Sequence, residues 1–151
     1  MKNVTVLIIL CMIFSFGCKQ AQKMSEIPDA AKKAFSAKFP EAQNVTWSIE
    51  KPGEFEADFV AEGTASSALF NKKGNFILSE VVIKNNELPQ SVKTTLANDL
   101  AGYVLYDIEK VTDAEGIITF EMKGKNKNES LEFTFSSDGK LLRKELLKAE
   151  D

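Results

Sequence analysis

The chain has 151 residues, of which 44% are hydrophobic and 27% are charged, and eleven are Phe. It is therefore long enough for one packed domain and too short for a large multi-domain enzyme. It contains no His, which excludes Ser/His and Cys/His catalytic arrangements and imidazole metal ligands. The formal net charge of -3 argues against a nucleic-acid-binding protein, which would present a basic surface.

The first element predicted along the chain is a secretion signal. Lys2 precedes an apolar run of 13 residues, from Val4 to Phe16, which suits a signal peptide and is shorter than the roughly 20 residues of a membrane span. The run ends at Gly17-Cys18, which resembles a bacterial lipoprotein processing site. We predict a signal peptide over residues 1–18, lipidation of Cys18 and a location in the cell envelope, on the periplasmic side of a bacterial membrane. The alternative is a plain signal peptide cut nearby, which would give a secreted periplasmic protein.

Cysteine usage separates this leader from the rest of the chain. The two Cys residues, Cys11 and Cys18, both lie within residues 1–18, so the body can form no disulfide framework, Cys-ligated zinc site or thiol nucleophile. Residues 19–25 are polar and unpatterned, which predicts a tether between anchor and domain. Mature bacterial lipoproteins carry several acyl chains, so the lipoprotein resemblance implies firm membrane attachment.

Two segments of the body share a helical pattern at an offset of 61 residues. They begin at Ile27-Pro28 and at Leu88-Pro89, and Pro is favoured at the first position of a helix. Apolar residues then recur at a four-residue spacing, which predicts one helix with one apolar face in each segment. The residues concerned are Ile27, Ala31, Phe35 and Phe39 in the first segment and Leu88, Val92, Leu96 and Leu100 in the second.

After each predicted helix the apolar period changes to two, which is typical of half-buried β-strands. The alternating sets are Val45, Trp47 and Ile49, then Phe55, Ala57 and Phe59, then Ile118, Phe120 and Met122, and finally Leu131, Phe133 and Phe135. Gly74 and Gly139 lie in polar connections between later strands, where a hairpin turn needs a positive φ.

These patterns predict an α+β fold class: a tandem repeat of one helix plus about four antiparallel strands, with the helices packed on one face of the sheet. The first α+β repeat would span residues 26–84 and the second residues 85–148. A unit of about 60 residues buries little apolar area by itself. We therefore expect the two units to share one core or one continuous sheet.

Several of these features together resemble a known family. The Ile27-Pro28 helix start, the helix exit Lys38-Phe39-Pro40-Glu41-Ala42, the strand with Val45 and Trp47, and the hairpin from Phe70 to Phe76 are similar to the PepSY-like, beta-lactamase-inhibitor-like family of exported bacterial proteins. The resemblance covers the chain from Ile27 to about Leu147. It implies helices that cover one face of an antiparallel sheet, and a role in binding or restraining other proteins. No inhibitory loop motif matches, so no site residue is carried over.

Residues with chemical potential are sparse in the body. Glu54, Glu56 and Asp58 should lie on the same side of one strand, and calcium could use such oxygens, but no loop has the EF-hand order of ligands. A solvated strand face is the simpler interpretation. No P-loop, dinucleotide fingerprint or Gly-x-Ser-x-Gly elbow is found. We predict a protein that is not an enzyme, with no catalytic residue, no metal site and no cofactor.

A binding surface is the better functional candidate. Apolar residues off the main alternation could lie on the sheet face that the helices leave open, and such patches often mark partner sites. They are Val60, Leu69, Ile77 and Leu142, for each of which packing in the core is the alternative. We predict a lipid-anchored envelope binding module for an unidentified envelope protein or peptide, with membrane contact through the lipid anchor and no nucleic-acid partner. A small-ligand or calcium-binding periplasmic protein and a structural envelope component are the alternatives.

Overall fold

The computed structural model describes residues 27–147, and the predicted signal peptide, Cys18 and the tether lie outside them. The helices are α1 (Asp29–Lys38) and α2 (Gln90–Asp99), with a short 3-10 helix at Asn85–Glu87 before α2. The strands are β1 (Gln43–Lys51), β2 (Glu54–Ala61), β3 (Thr64–Asn71), β4 (Phe76–Val82), β5 (Val104–Asp113), β6 (Ile118–Lys125), β7 (Ser130–Ser136) and β8 (Leu141–Leu146). Among residues 27–147, the structure has no helix of the length and apolarity that a membrane crossing requires.

The predicted fold class, a tandem repeat of one helix plus about four strands, is wrong. Residues 27–147 form one eight-stranded antiparallel sheet in the order β1 to β8, with two α-helices. Of the two arrangements left open, a shared core or a continuous sheet, the structure has the continuous sheet. The physical reason is that a separate four-stranded unit has two edges of unpaired backbone groups. Pairing β4 with β5 removes one edge from each side of the join.

The predicted division of the chain at residues 84 and 85 stays a prediction. In the structure β4 and β5, which lie on either side of that division, are hydrogen-bonded neighbours: Ser79 pairs with Thr112 and Val81 with Lys110. The backbone therefore continues the sheet across the division without a gap.

Each helix begins directly after a proline. Pro28 and Pro89 have extended backbone angles and act as the residues before the first helical turn, so each helix begins one residue later than predicted. Asp29 in the first turn of α1 and Lys38 in its last turn have the charges that the helix dipole favours at those ends.

Both helices pack on the same face of the sheet. Phe59 pairs with Ser66 and Ser66 with Val81, and the pairing continues through Lys110 to Phe120 and Phe135. Residues paired across antiparallel strands point to the same side, so this row marks one face from β2 to β7. Side chains of α1 bury against its first half and those of α2 against its second half.

The core on this face consists of two side-chain clusters. Around α1, the Phe35 ring lies 5.1 Å from the Phe59 ring and 6.2 Å from the Phe70 ring, measured between centroids. Ala31, Ala57 and Ala68 fill the space beside these rings. Around α2 the core residues are Val92, Leu96, Phe120, Met122, Phe133 and Phe135, with others around them. The helices therefore attach through large apolar side chains, which leaves their outer sides to solvent.

Two hairpin turns press against the starts of the helices. Gly74 has a φ of +81°, and a Cβ built on it would lie 2.5 Å from the carbonyl oxygen of Ala30. Gly139 has a φ of +88°, and its Cβ would lie 2.6 Å from the carbonyl oxygen of Ser91. The Ser91 hydroxyl donates to the Ser137 carbonyl at 2.8 Å, and the Thr95 hydroxyl to the Gly139 carbonyl at 2.7 Å. These turns therefore fix where each helix meets the sheet.

We predict that Gly74→Ala and Gly139→Ala each lower the free energy of unfolding by about 2–4 kcal/mol, because backbone strain and a clash with helix backbone add. Gly63→Ala is the matched control: its φ is +75°, and nothing lies within 4 Å of the added Cβ. That control should cost only about 1–2 kcal/mol, from the positive φ alone. Urea unfolding measures the free energy of unfolding of all three variants. An equal loss of stability at the three positions would contradict the role of the helix contact.

Candidate functional site

The side of the sheet opposite the helices is the candidate site, and we call it the open face. Alternation along each strand places a set of polar and apolar side chains there. From β2 to β8 the set includes Glu56, Asp58, Ser67, Leu69, Leu78, Glu80, Glu109, Val111, Glu121, Lys123, Glu132, Thr134, Arg143 and Glu145. Neither α1 nor α2 contributes a residue to the apolar cluster on this side.

An apolar cluster occupies the open face on the central strands. Leu69, Leu78 and Val111 pack together there, with Ile77 partly buried against them. Leu78 is only 2% exposed and Val111 4%, although neither α1 nor α2 contributes to their cluster. Neighbouring side chains of the face must therefore shield this cluster, and the register places Glu56 beside Leu69 and Glu80 beside Val111.

A row of three glutamates crosses the open face next to this cluster, and we call it the carboxylate row: Glu80 on β4, Glu109 on β5 and Glu121 on β6. Glu109 is directly opposite Glu121. Glu80 is opposite Val111. Because Val111 is two residues after Glu109 on β5, Glu80 and Glu109 are diagonal neighbours. Like charges directly opposite each other destabilise a sheet. The hydroxyl of Ser67, a neutral donor, donates a hydrogen bond to Glu80 Oε2 at 3.1 Å.

The carboxylate row changes the acidity of its central member. Burial and then the negative charges of Glu80 and Glu121 raise the pKa of Glu109 from 4.5 to about 8. Lys123 on β6 opposes this increase and Asp107 on β5 adds to it. Glu109 is therefore mostly protonated at pH 7, and the row holds a proton where three ionised carboxylates would repel one another.

Basic groups lie beside the carboxylate row, already in ion pairs. Lys123 Nζ lies 2.9 Å from Asp107 Oδ2. Arg143 forms an ion pair with Glu145, and its Nη1 is 4.0 Å from Glu132 Oε2. Burial still raises the pKa of Glu132, in opposition to Arg143 and Lys123. This half of the open face is thus a crowded polar network in which charges are partly removed from water.

A bulge in β5 brings Asp107 to Lys123. The register shifts between Tyr106 and Glu109, and Asp107 has a φ of +47°. The extra residue lets Ile108 enter the core around α2 while Asp107 reaches the open face. Bulges commonly re-aim side chains in this way, often next to functional sites.

Two buried side-chain atoms of the open face lack a hydrogen-bond partner among residues 27–147: the hydroxyl oxygen of Thr134 and the Nε of Arg143, whose other guanidinium nitrogens form the ion pairs named above. Thr134 is 9% exposed, and its hydroxyl oxygen has no hydrogen-bond partner among residues 27–147. The register places Thr134 between Glu121 on β6 and Arg143 on β8. A buried hydroxyl without a partner costs free energy, and the register places the guanidinium-bearing Arg143 on β8 directly opposite Thr134.

The structure brings together two of the four residues predicted as a partner surface. Leu69 and Ile77 share the apolar cluster of the open face. Val60 is half-buried on β2, opposite Gln43 and Ala65. Leu142 lies at a register shift of the last strand, where it is 51% exposed. The assignment of these residues to a partner surface stays a prediction.

The predicted acidic strand lies on the open face. Glu54, Glu56 and Asp58 alternate with the buried residues Phe55, Ala57 and Phe59, which confirms that they share one side. The Ser48 hydroxyl donates to Glu56 at 3.3 Å. Within the described part of the chain, no three or more Asp, Glu, Cys or His side chains are grouped so that they could hold a metal ion.

Sequence reasoning missed the carboxylate row because its members come from three different strands. Each is unremarkable locally, since a polar residue alternating with apolar ones is the normal pattern of a half-buried strand. The available signal was Glu121 between Phe120 and Met122, which put a carboxylate in the middle of a central strand. Only the register shows that Glu80 and Glu109 join it.

A small pocket lies away from the open face. It measures about 260 Å³ and lies at the C-terminal end of α2, with a lining that includes Leu96, Leu100, Tyr103 and Leu105. This volume is below the roughly 300–1,000 Å³ of typical small-molecule pockets. The open face is therefore the stronger candidate site.

Solved structures share this fold, although no protein-family profile and no curated protein matches the sequence. A Bacteroides eggerthii protein provisionally described as periplasmic is similar at a TM-score of 0.73 and 20% identity, over 79% of this chain and 88% of that one. A DUF2874 family protein from Bacteroides uniformis is similar at 0.73 and 18%, over 79% and 88%. A BLIP-like protein from Bacteroides fragilis is similar at 0.71 and 22%, over 82% and 89%. The fold is therefore of the beta-lactamase-inhibitor-like type; the PepSY-like resemblance stays a prediction.

We predict that stability falls as pH rises from about 4.5 to about 8, because there the unfolded chain has lost the Glu109 proton that the folded protein keeps. A pKa raised from 4.5 to about 8 corresponds to a loss of up to about 5 kcal/mol. Glu109→Gln should remove most of this decline and stabilise the protein at pH 9. Glu54→Gln, on the same face outside the carboxylate row, is the control. Urea unfolding from pH 4.5 to 9 measures the effect, and parallel curves for wild type and Glu109→Gln would contradict it.

Proposed function

We propose that this chain is a non-enzymatic, periplasmic binding module that holds another protein on the open face of its sheet. The observation that carries the proposal is a sheet face that neither helix covers, on which charged side chains are already partly desolvated. Such a face gives a partner a pre-organised surface, because folding has met part of the cost of removing these groups from water.

The similarity to solved structures also supports this proposal. The fold is similar to that of a BLIP-like protein and of a protein provisionally described as periplasmic. The signal-peptide pattern in residues 1–18 is consistent with export. Since a fold can host unrelated functions, the open face is the main support for a binding function, and the similarity of fold adds to it.

Site-specific photo-crosslinking in living cells tests the binding face. A photoreactive phenylalanine analogue would replace Glu145 or Thr119, which is opposite Val111 on the open face. Lys33 and Asn98, exposed on the helices, are the matched control positions. We expect one discrete adduct of the same mass from both open-face positions and none from the helix positions. Adducts from the helix positions alone, or none from either face, would contradict the proposal.

We also propose that Cys18 carries the lipid that attaches the protein to the membrane. Cys18→Ala should then abolish labelling by an alkyne fatty-acid analogue and move the protein from the membrane fraction to the soluble periplasmic fraction. Cys11→Ala is the matched control, because Cys11 lies inside the predicted signal peptide, and it should leave the label intact. A wild-type protein without label would show that a plain signal peptide is cut instead.

A further inference from the structure

The pocket at the C-terminal end of α2, which we call the α2 pocket, has a buried apolar floor and an open rim. Leu96 and Leu100 are buried, and Tyr103 and Leu105 beside them are half-buried. The rim includes exposed residues with a small side chain or none: Ala97, Ala101 and Gly102. The pocket measures about 260 Å³. An apolar cavity of roughly 150 Å³ can hold a benzene ring, so the α2 pocket has room for one ring and a short substituent.

At the corresponding end of α1 an aromatic ring is present. The pattern that the two helices share at an offset of 61 residues relates Phe39 to Leu100, and each of them directly follows the last residue of its helix. The Phe39 ring lies 4.8 Å from the Phe59 ring and 5.4 Å from the Phe35 ring, measured between centroids. Leu100 has no ring, and it lines the α2 pocket. The pocket therefore lies at the position where α1 has an aromatic side chain.

The Tyr103 wall of the pocket is held in place by its neighbours. A Cβ built on Gly124 of β6 would lie 2.7 Å from Cε2 of Phe133 and 3.3 Å from Cβ of Tyr103, so both side chains pack directly over this glycine. The Tyr103 and Phe133 rings meet edge to face, with centroids 5.4 Å apart. The Tyr103 hydroxyl donates a hydrogen bond to Glu129. This wall is therefore ordered before anything binds, which lowers the entropic cost of binding.

One cation lies at the pocket. Lys93 of α2 is half-buried and belongs to the lining, and its Nζ donates to the Asn86 carbonyl at 2.7 Å. An ammonium has three N–H donors, so Nζ can donate to a carboxylate as well. Among the described residues that line the pocket there is no Asp or Glu. The pocket is thus complementary to an apolar ligand that carries one negative charge.

We propose that the α2 pocket binds a small aromatic carboxylic acid, with its ring between Leu100 and Tyr103 and its carboxylate on the ammonium of Lys93. The ring of Tyr103 offers an aromatic contact that an aliphatic acid cannot use fully. The ammonium offers a charge-assisted hydrogen bond that a neutral ring cannot form. This inference goes beyond the proposed function and is independent of it, because the pocket lies on the helix side of the sheet, away from the open face.

The test titrates phenylacetate into protein purified from cells that express the full chain, and follows NMR signals of Leu96, Leu100, Leu105 and Tyr103. We expect saturable shifts with a dissociation constant of about 1 mM or lower. Phenylacetamide, the neutral isostere, should bind about tenfold more weakly, and cyclohexylacetate severalfold more weakly. Equal or tighter binding of either control, or the lack of saturable shifts with phenylacetate, would overturn the proposal.

Two variants locate the site. Leu100→Phe gives α2 the ring that α1 has at the corresponding position, so it should fill the pocket and abolish phenylacetate binding. Lys93→Gln should weaken phenylacetate binding about tenfold and make phenylacetate and phenylacetamide bind alike. Because Lys93 lies outside the hydrophobic core, this second variant tests the site even if Leu100→Phe disturbs the packing.

Lys32→Gln is the matched control, since Lys32 is the position of α1 that corresponds to Lys93 at the offset of 61 residues. It should leave phenylacetate binding unchanged. Equal losses in Lys32→Gln and Lys93→Gln would show a diffuse attraction to lysines of the helices and would overturn the site. Unchanged binding in Lys93→Gln would overturn it as well.

Discussion

The hydrogen bonds between β4 and β5 are the constraint on which the rest of the structure depends. They join strands from the two parts of the chain into one sheet of eight. Because register is continuous through this pair, every strand shares the same two faces. Both helices lie on one of them, and the other accommodates its apolar and charged side chains without a covering element from residues 27–147.

The open face resolves this problem in two ways. On β3, β4 and β5 a small apolar cluster is buried among its own neighbours, with Leu78 almost fully inaccessible. On β5 to β8, long charged side chains pair with one another, as Lys123 does with Asp107. Both solutions need close packing of side chains that would otherwise extend into water, so this face is more ordered than a simple solvated sheet surface.

The carboxylate row adds an electrostatic cost to this accommodation. Glu109 and Glu121 oppose each other, and the raised pKa of Glu109 means that the folded protein holds a proton there at a cost in stability at neutral pH. An apolar residue at either position would relieve the cost. Local violations of this kind are expected at functional sites.

Sequence patterns predict the local elements well here, because side-chain periodicity reflects one face of each element. The alternation of Phe55, Ala57 and Phe59 predicted the strand that the structure contains, and the Pro-initiated patterns predicted both helices. The β4–β5 pairing was not predictable, since backbone hydrogen bonds leave no side-chain signature. The carboxylate row depends on that pairing and on the β5 bulge, so it could not be found before the register was known.

The most direct test of this account is a carboxyl NMR titration of the protein in which Glu109 is assigned by comparison with Glu109→Gln. We expect the Glu109 carboxyl signal to titrate near pH 8, with inflections in the Glu80 and Glu121 signals at the same pH. If the Glu109 signal titrates instead near the ordinary value of about 4.3 for a glutamate, the row is solvated and unstrained, and the open face has no electrostatic feature that singles out a binding site.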